Sequence, residues 1–193
     1  MCGSISLDSS QETLRRFYSI EMPAREPILK SFRGYGSRAT LVGIGEHTGK
    51  TAFATGHWGL DIGYPEAMRN ARIEGLAENR VVGKSFMEGK RAILPADWFF
   101  ERSRRGGMVQ LGGRILSLAA VYTDQGFVVV TKNSWGITAY HHSRMPLILN
   151  EKSWHRWADP HEPGSSLLRD WASLVDQDPI HEVDQDRQLM ETF

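Results

Sequence analysis

An α+β domain built on an antiparallel or mixed sheet is the fold this sequence predicts, and three observations predict it. Short apolar and β-branched runs, separated by turn residues, dominate the chain from residue 40 to residue 150. Helical periodicity is confined to brief stretches near the two ends. The chain has 193 residues and is 40% apolar, which suits one domain with a sizeable core and excludes a disordered chain.

The elements follow in order. Residues 10–18 (SQETLRRFY) read as a short helix, with Ser9 or Ser10 as its cap and Leu14, Phe17 and Tyr18 on one face. Residues 21–38 hold Pro23, Pro27, Gly34 and Gly36 and read as a loop. Thr40–Ile44 and Thr51–Thr55 flank the turn-rich EHTGK and predict a hairpin, closed by His57-Trp58-Gly59-Leu60 and a loop over Asp61–Pro65. Residues 69–79 read as an extended segment running into a helix. Arg91–Leu94 and Trp98–Glu101 read as strands on either side of Pro95-Ala96-Asp97. The Arg-Arg-Gly-Gly turn at 104–107 would let residues 98–103 and 108–111 pair. Leu116–Tyr122 and Phe127–Thr131 form another strand pair, and the run FVVV predicts a buried central strand. Met145–Leu149 reads as a strand or short turn, residues 151–158 as a helix, and residues 165–175 as an amphipathic helix bearing Leu167, Leu168, Trp171 and Leu174. The expected division is one domain over 1–175 and an acidic tail over 176–193.

Charge is balanced overall, with 23 basic and 23 acidic residues, but it is unevenly spread. Residues 66–150 carry 12 Lys/Arg against 7 Asp/Glu, and residues 151–193 carry 4 against 10. A basic middle offers a face for a polyanion, and an ordinary solvated surface explains it equally cheaply. Apolar runs fall short of a membrane span, and the N-terminus lacks a basic segment followed by an apolar run, so a protein without membrane or secretory signal is expected. One cysteine permits neither an internal disulfide nor a cysteine metal cluster.

That cysteine is Cys2, in Met1-Cys2-Gly3. Loss of Met1 would leave an amine and a thiol on one residue, with ordinary pKa values of about 7.7–8.0 and about 8.5. An aldehyde can condense with the amine to an imine, which the thiol closes to a thiazolidine. Gly3 would allow close approach of a substrate. N-terminal-nucleophile glutamine amidotransferases also begin Met-Cys-Gly, but their Arg-Gly-Pro-Asp and Asn-Gly segments are missing here.

Three further blocks follow Met1-Cys2-Gly3: Asn70-Ala71-Arg72-Ile73-Glu74, Pro95-Ala96-Asp97-Trp98-Phe99-Phe100-Glu101 and His142-Ser143-Arg144-Met145-Pro146-Leu147. In this order, and with Trp58-Gly59-Leu60 before the second block, the chain resembles the SRAP (SOS response-associated peptidase) family over about residues 2–150. The resemblance implies a single domain with a barrel-like sheet and flanking helices. It implies DNA repair in the SOS response, through a covalent DNA–protein crosslink between Cys2 and abasic sites in single-stranded DNA. Cys2, Asn70, Glu101 and His142 match the family's catalytic positions: nucleophile, hydrogen-bond donor, acid/base beside the amine, and acid/base at the sugar oxygen. Arg72, Arg80, Thr131 and Arg144 match DNA-binding positions. No cofactor or metal is implied, and the expectation is a monomer, cytoplasmic and nucleoid-associated in a bacterial or phage setting, with its protein partners unspecified.

Other readings of the same residues are open at this level. One alternative is a non-covalent single-strand or modified-DNA binding module with the same fold, and another is an N-terminal-cysteine peptidase or amidohydrolase. Asn70 could cap the following helix, Glu101 could pair with Arg102 or Arg104, and His141 and His142 could both face solvent. Arg72 and Arg144 could bridge the acidic tail. The chain also departs from the family pattern: Ser4 replaces an arginine, Phe32-Arg33-Gly34-Tyr35-Gly36 lacks an asparagine and a proline, and Arg102 replaces an aromatic. Asp61–Pro65 offers only Tyr64 and Pro65 to stack on bases, and residues 176–193 lack the closing motif. These departures fall on DNA-contacting positions and spare the catalytic ones.

Overall fold

The computed structural model describes residues 4–20, 28–29, 31–33, 36–63, 67–104, 106–177 and 180–183. Cys2 with its neighbours Met1 and Gly3, and the stacking candidates Tyr64 and Pro65, lie outside the described residues.

In chain order the elements are β1 (Ser4–Ser6), α1 (Gln11–Phe17), β2 (Ser31–Arg33), β3 (Arg38–Ile44), β4 (Thr51–His57), β5 (Asn70–Arg72), α2 (Gly83–Met87), β6 (Arg91–Arg102), β7 (Met108–Tyr122), β8 (Phe127–Asn133), α3 (Thr138–His141), β9 (Arg144–Pro146), β10 (Ile148–Leu149), α4 (Trp154–Ala158), α5 (Gly164–Leu174) and β11 (His181–Val183). A 3-10 turn over Ile73–Gly75 follows β5. The eleven strands form one sheet whose spine is the long antiparallel pair β6–β7. Short strands tile the outer edges of that pair. β1 and β3 lie along β6, whereas β8, β10 and β11 share the far edge of β7. β5 joins β8 in parallel, so the sheet is mixed, and among the described residues it does not close into a barrel.

The long spine differs from the sequence expectation, which broke β6 at Pro95-Ala96-Asp97. The strand instead runs through, with a register shift between Ala96 and Trp98. Pro95 falls between the points where β3 and β1 attach, at Ile93 and at Trp98–Phe100, so its missing N–H costs no ladder bond on that edge. Opposite the bulge stands Gly112 with φ +150°, where any side chain would collide with the Asp97 carbonyl. The bulge therefore needs that glycine.

Asp97 uses the bulge. Its carboxylate accepts hydrogen bonds from Asp8 N (2.6 Å), Ser9 N (2.7 Å) and Ser9 Oγ (2.7 Å). This clamps the turn between β1 and α1, and Ser10 caps α1 by accepting from Thr13 N. The N-terminal strand is thus anchored from behind. β8 is buried throughout its apolar run Phe127–Val130, as FVVV predicted.

Helices α2, α4 and α5 pack on one side around Arg91. This buried guanidinium donates to the carbonyls of Phe86, Trp157, Asp159 and Glu162 and lies 5.4 Å from the Phe86 ring centroid. α2 was not expected from the sequence. Its five residues are too few to show a period, and tertiary packing of Phe86 against Trp157 holds it. Residues 181–183, expected in the acidic tail, add the strand β11 to β7. No helix among the described residues is long and apolar enough to cross a membrane.

Candidate active site

Glu101 stands near the end of β6, one residue beyond the position paired with Ser4 of β1. It is 1% exposed, so the surface ion pair with Arg102 or Arg104 is not what the fold makes of it. Burial pushes its carboxyl above the usual carboxylate range, partly opposed by the charge of His142 and by the Arg102 backbone N–H. Such a carboxyl can hold a proton closer to neutrality than a solvated one, which is what a general acid requires.

His142 follows α3 in extended conformation and is half-buried. Its Nδ1 lies 3.0 Å from Arg144 N and 3.1 Å from Arg144 O. Nδ1 can accept the Arg144 N–H in one tautomer or donate to the Arg144 carbonyl in the other, so the backbone holds the ring in place in either form.

Glu101 and His142 line one open cavity of about 550 Å³. Ser4, the first residue of β1 and two residues after Cys2 in sequence, also lines it. Three arginines complete the wall: Arg69, Arg102 and Arg104. Their charge suits an anionic substrate. A second cavity of about 500 Å³, between β4 and the β7–β8 turn, contains none of the motif residues.

The remaining candidates are not among the residues that line this cavity, although Asn70 directly follows its wall residue Arg69. Asn70 is half-buried in β5, beside Arg69; Arg72, not Asn70, precedes the 3-10 turn, so Asn70 caps no helix. Arg72 and Arg80 are exposed. Thr131 and Arg144 point inward. Arg144 is 7% exposed and forms a two-pronged ion pair with Glu74 at 2.7 and 2.8 Å, with further bonds to Asn133 Oδ1 and the Thr131 carbonyl. The Thr131 hydroxyl donates to the Ala71 carbonyl. This knot joins β5, β8 and β9 and seats the segment bearing His142; Arg144 therefore bridges the second sequence block, not the acidic tail.

Sequence reasoning did not single out Arg69, Ser103, Arg104 or His141 as site residues. Arg69 directly precedes the Asn70 block, and Ser103 and Arg104 lie two and three residues beyond Glu101. Reading outward from each block is the signal that would have found them.

The family model for SOS response associated peptidase (SRAP) matches residues 1–186. A phage-related protein from Bordetella bronchiseptica has a similar solved structure, with a TM-score of 0.77 at 19% identity, covering 94% of this chain and 93% of that one. A second protein from the same organism gives 0.74 at 16% identity over 95% and 100% of the two chains. A protein from Bacteroides thetaiotaomicron gives 0.73 at 18% over 96% and 93%. At these identities the likeness concerns the fold. No curated protein sequence gives a significant match. With a family match spanning nearly its whole length, the chain belongs to the SRAP family and so to the proteins of the DNA damage (SOS) response.

Proposed function

We propose that this chain captures abasic sites in single-stranded DNA as a covalent thiazolidine on Cys2 after loss of Met1. The observation that supports it most is the convergence of Glu101 and His142 on one arginine-lined cavity that Ser4, the first residue of the N-terminal strand, also lines. Each step has a group suited to it. His142 donates a proton to the ring oxygen of the closed deoxyribose, favouring the open aldehyde. The Cys2 amine adds to that aldehyde, Glu101 supplies the proton that carries off water, and the thiol closes the ring on the imine. One water leaves in total. Arg69, Arg102 and Arg104 hold flanking phosphates, and Arg72 and Arg80, both exposed, are assigned further phosphate contacts. Asn70 is assigned the hydrogen bond that orients the amine. Thr131 and Arg144 support the site from within instead of contacting DNA.

The test is intact-protein mass spectrometry after incubation with a uracil-containing single-stranded oligonucleotide treated with uracil-DNA glycosylase. The expected product has the mass of the protein lacking Met1 plus the oligonucleotide minus one water, and Cys2→Ala forms none. A folded protein with a free Cys2 that forms no adduct overturns the reading in favour of a non-covalent binding module.

A further inference from the structure

Behind the cavity wall, side chains from three separate segments meet. His141, the last residue of α3, is 6% exposed. Its Nδ1 lies 3.1 Å from Ser103 Oγ and its Nε2 lies 3.0 Å from Glu182 Oε2 on β11. A carboxylate only accepts, so in the neutral ring the proton belongs on Nε2. Nδ1 then accepts from the Ser103 hydroxyl, and the bonds run in one direction from Ser103 through His141 to Glu182. The Arg104 backbone N–H donates to the His141 carbonyl at 3.0 Å, which adds a further tie.

Two of the three members adjoin a group that the chemistry needs. Ser103 lines the cavity two residues beyond Glu101, and His141 directly precedes His142. Glu182 reaches them from a three-residue strand held at Gln110–Gly112 of β7. So short a strand adds little to the sheet by itself. Its carboxylate, however, fixes the imidazole of His141, which joins the end of β6 to the segment carrying His142.

We propose that Glu182, acting through His141 and Ser103, is a positioning residue for the Glu101–His142 pair, which makes β11 a working part of the site. The proposal rests on the abasic-site reading above. Within that reading, the relay sets the spacing between the group that opens the sugar and the group that dehydrates the adduct. A misplacement of about 1 Å between such groups costs up to about 100-fold in rate.

Single-turnover crosslinking, measured against oligonucleotide concentration, tests it with the wild type, Glu182→Ala, Glu182→Gln and Ser103→Ala, each with a thermal midpoint. Glu182→Ala and Ser103→Ala are expected to lower the limiting rate about tenfold while the half-saturating concentration stays within about twofold. Glu182→Gln is expected to recover much of the rate, because its amide oxygen still accepts from Nε2–H. A Glu182→Ala protein as fast as the wild type overturns the proposal alone. So does a rate loss that follows a fallen midpoint and is equal in the Gln and Ala variants. A wild type that forms no adduct overturns the abasic-site reading and this proposal with it.

Discussion

Two acids on one strand have opposite fates. Asp97 and Glu101 stand four residues apart on β6, and both are buried, at 8% and 1% exposed. Asp97 sits in the bulge and receives three short hydrogen bonds from Asp8 and Ser9, which tie it to the α1 side of the molecule. Glu101 sits past the bulge at the cavity, where burial holds its carboxyl above the ordinary range. The first arrangement uses a carboxylate to hold a turn; the second, on the proposed reading, uses a carboxyl to exchange a proton. Burial alone therefore does not mark the acid to which that proton transfer is assigned. What surrounds the carboxyl decides its role.

Glu101→Gln breaks the comparison at its reactive end and carries the largest expected effect. Loss of a general acid lowers the limiting crosslinking rate by about 100-fold or more. Stability should not fall with it. A carboxyl whose folded pKa is raised contributes stability fully below its unfolded pKa of about 4.3 and loses that contribution as pH rises through the folded value. At neutral pH the glutamine therefore removes a liability, and the urea midpoint is expected to equal or exceed that of the wild type.

Asp97→Ala should do the reverse. With two backbone donors and a hydroxyl left unmatched, unfolding free energy should drop by about 2–4 kcal/mol in urea titrations. Crosslinking per folded molecule should change far less than in Glu101→Gln. A large rate loss in a stably folded Asp97→Ala would show that the two acids work as one unit.

A third acid sharpens the contrast. Hydrogen bonds from Arg144 hold the Glu74 carboxyl below the usual range, with burial acting against them. Its stabilising contribution is present above the unfolded pKa and is lost as pH falls through the lower folded one. Glu74 is 41% exposed, so solvent screening limits the pair to about 1 kcal/mol or less. Glu74→Gln should be less stable than the wild type at pH 7, and the gap should close on acidification.

The smallest effects belong to the cavity arginines. Arg102→Ala or Arg104→Ala should weaken oligonucleotide binding modestly and flatten its log–log salt slope by about 0.7 for each phosphate no longer neutralised. The limiting rate should hold, because these residues position and do not react.

Much of this arrangement was legible in the sequence. The Ser10-capped helix, the β3–β4 hairpin and the buried FVVV strand are local patterns, and the structure contains each of them. Glu101 and His142 were picked from separate blocks, and the fold brings them to one cavity. Other features depend on distant partners and have no local signature. The continuity of β6 rests on Gly112, fifteen residues beyond the bulge. The inward turn of Arg144 depends on Glu74, seventy residues away. Which of two adjacent histidines faces the cavity depends on Ser103 and Glu182, and the acidic composition of residues 176–193 conceals a short strand.

The pH dependence of the single-turnover crosslinking rate, in the wild type and in Glu101→Gln, tests the role of the buried acid most directly. A wild-type profile with a limb above the ordinary carboxylate range, absent from the far slower variant, is the expected result. Equal rates with superimposable profiles would contradict it and remove Glu101 from the chemistry.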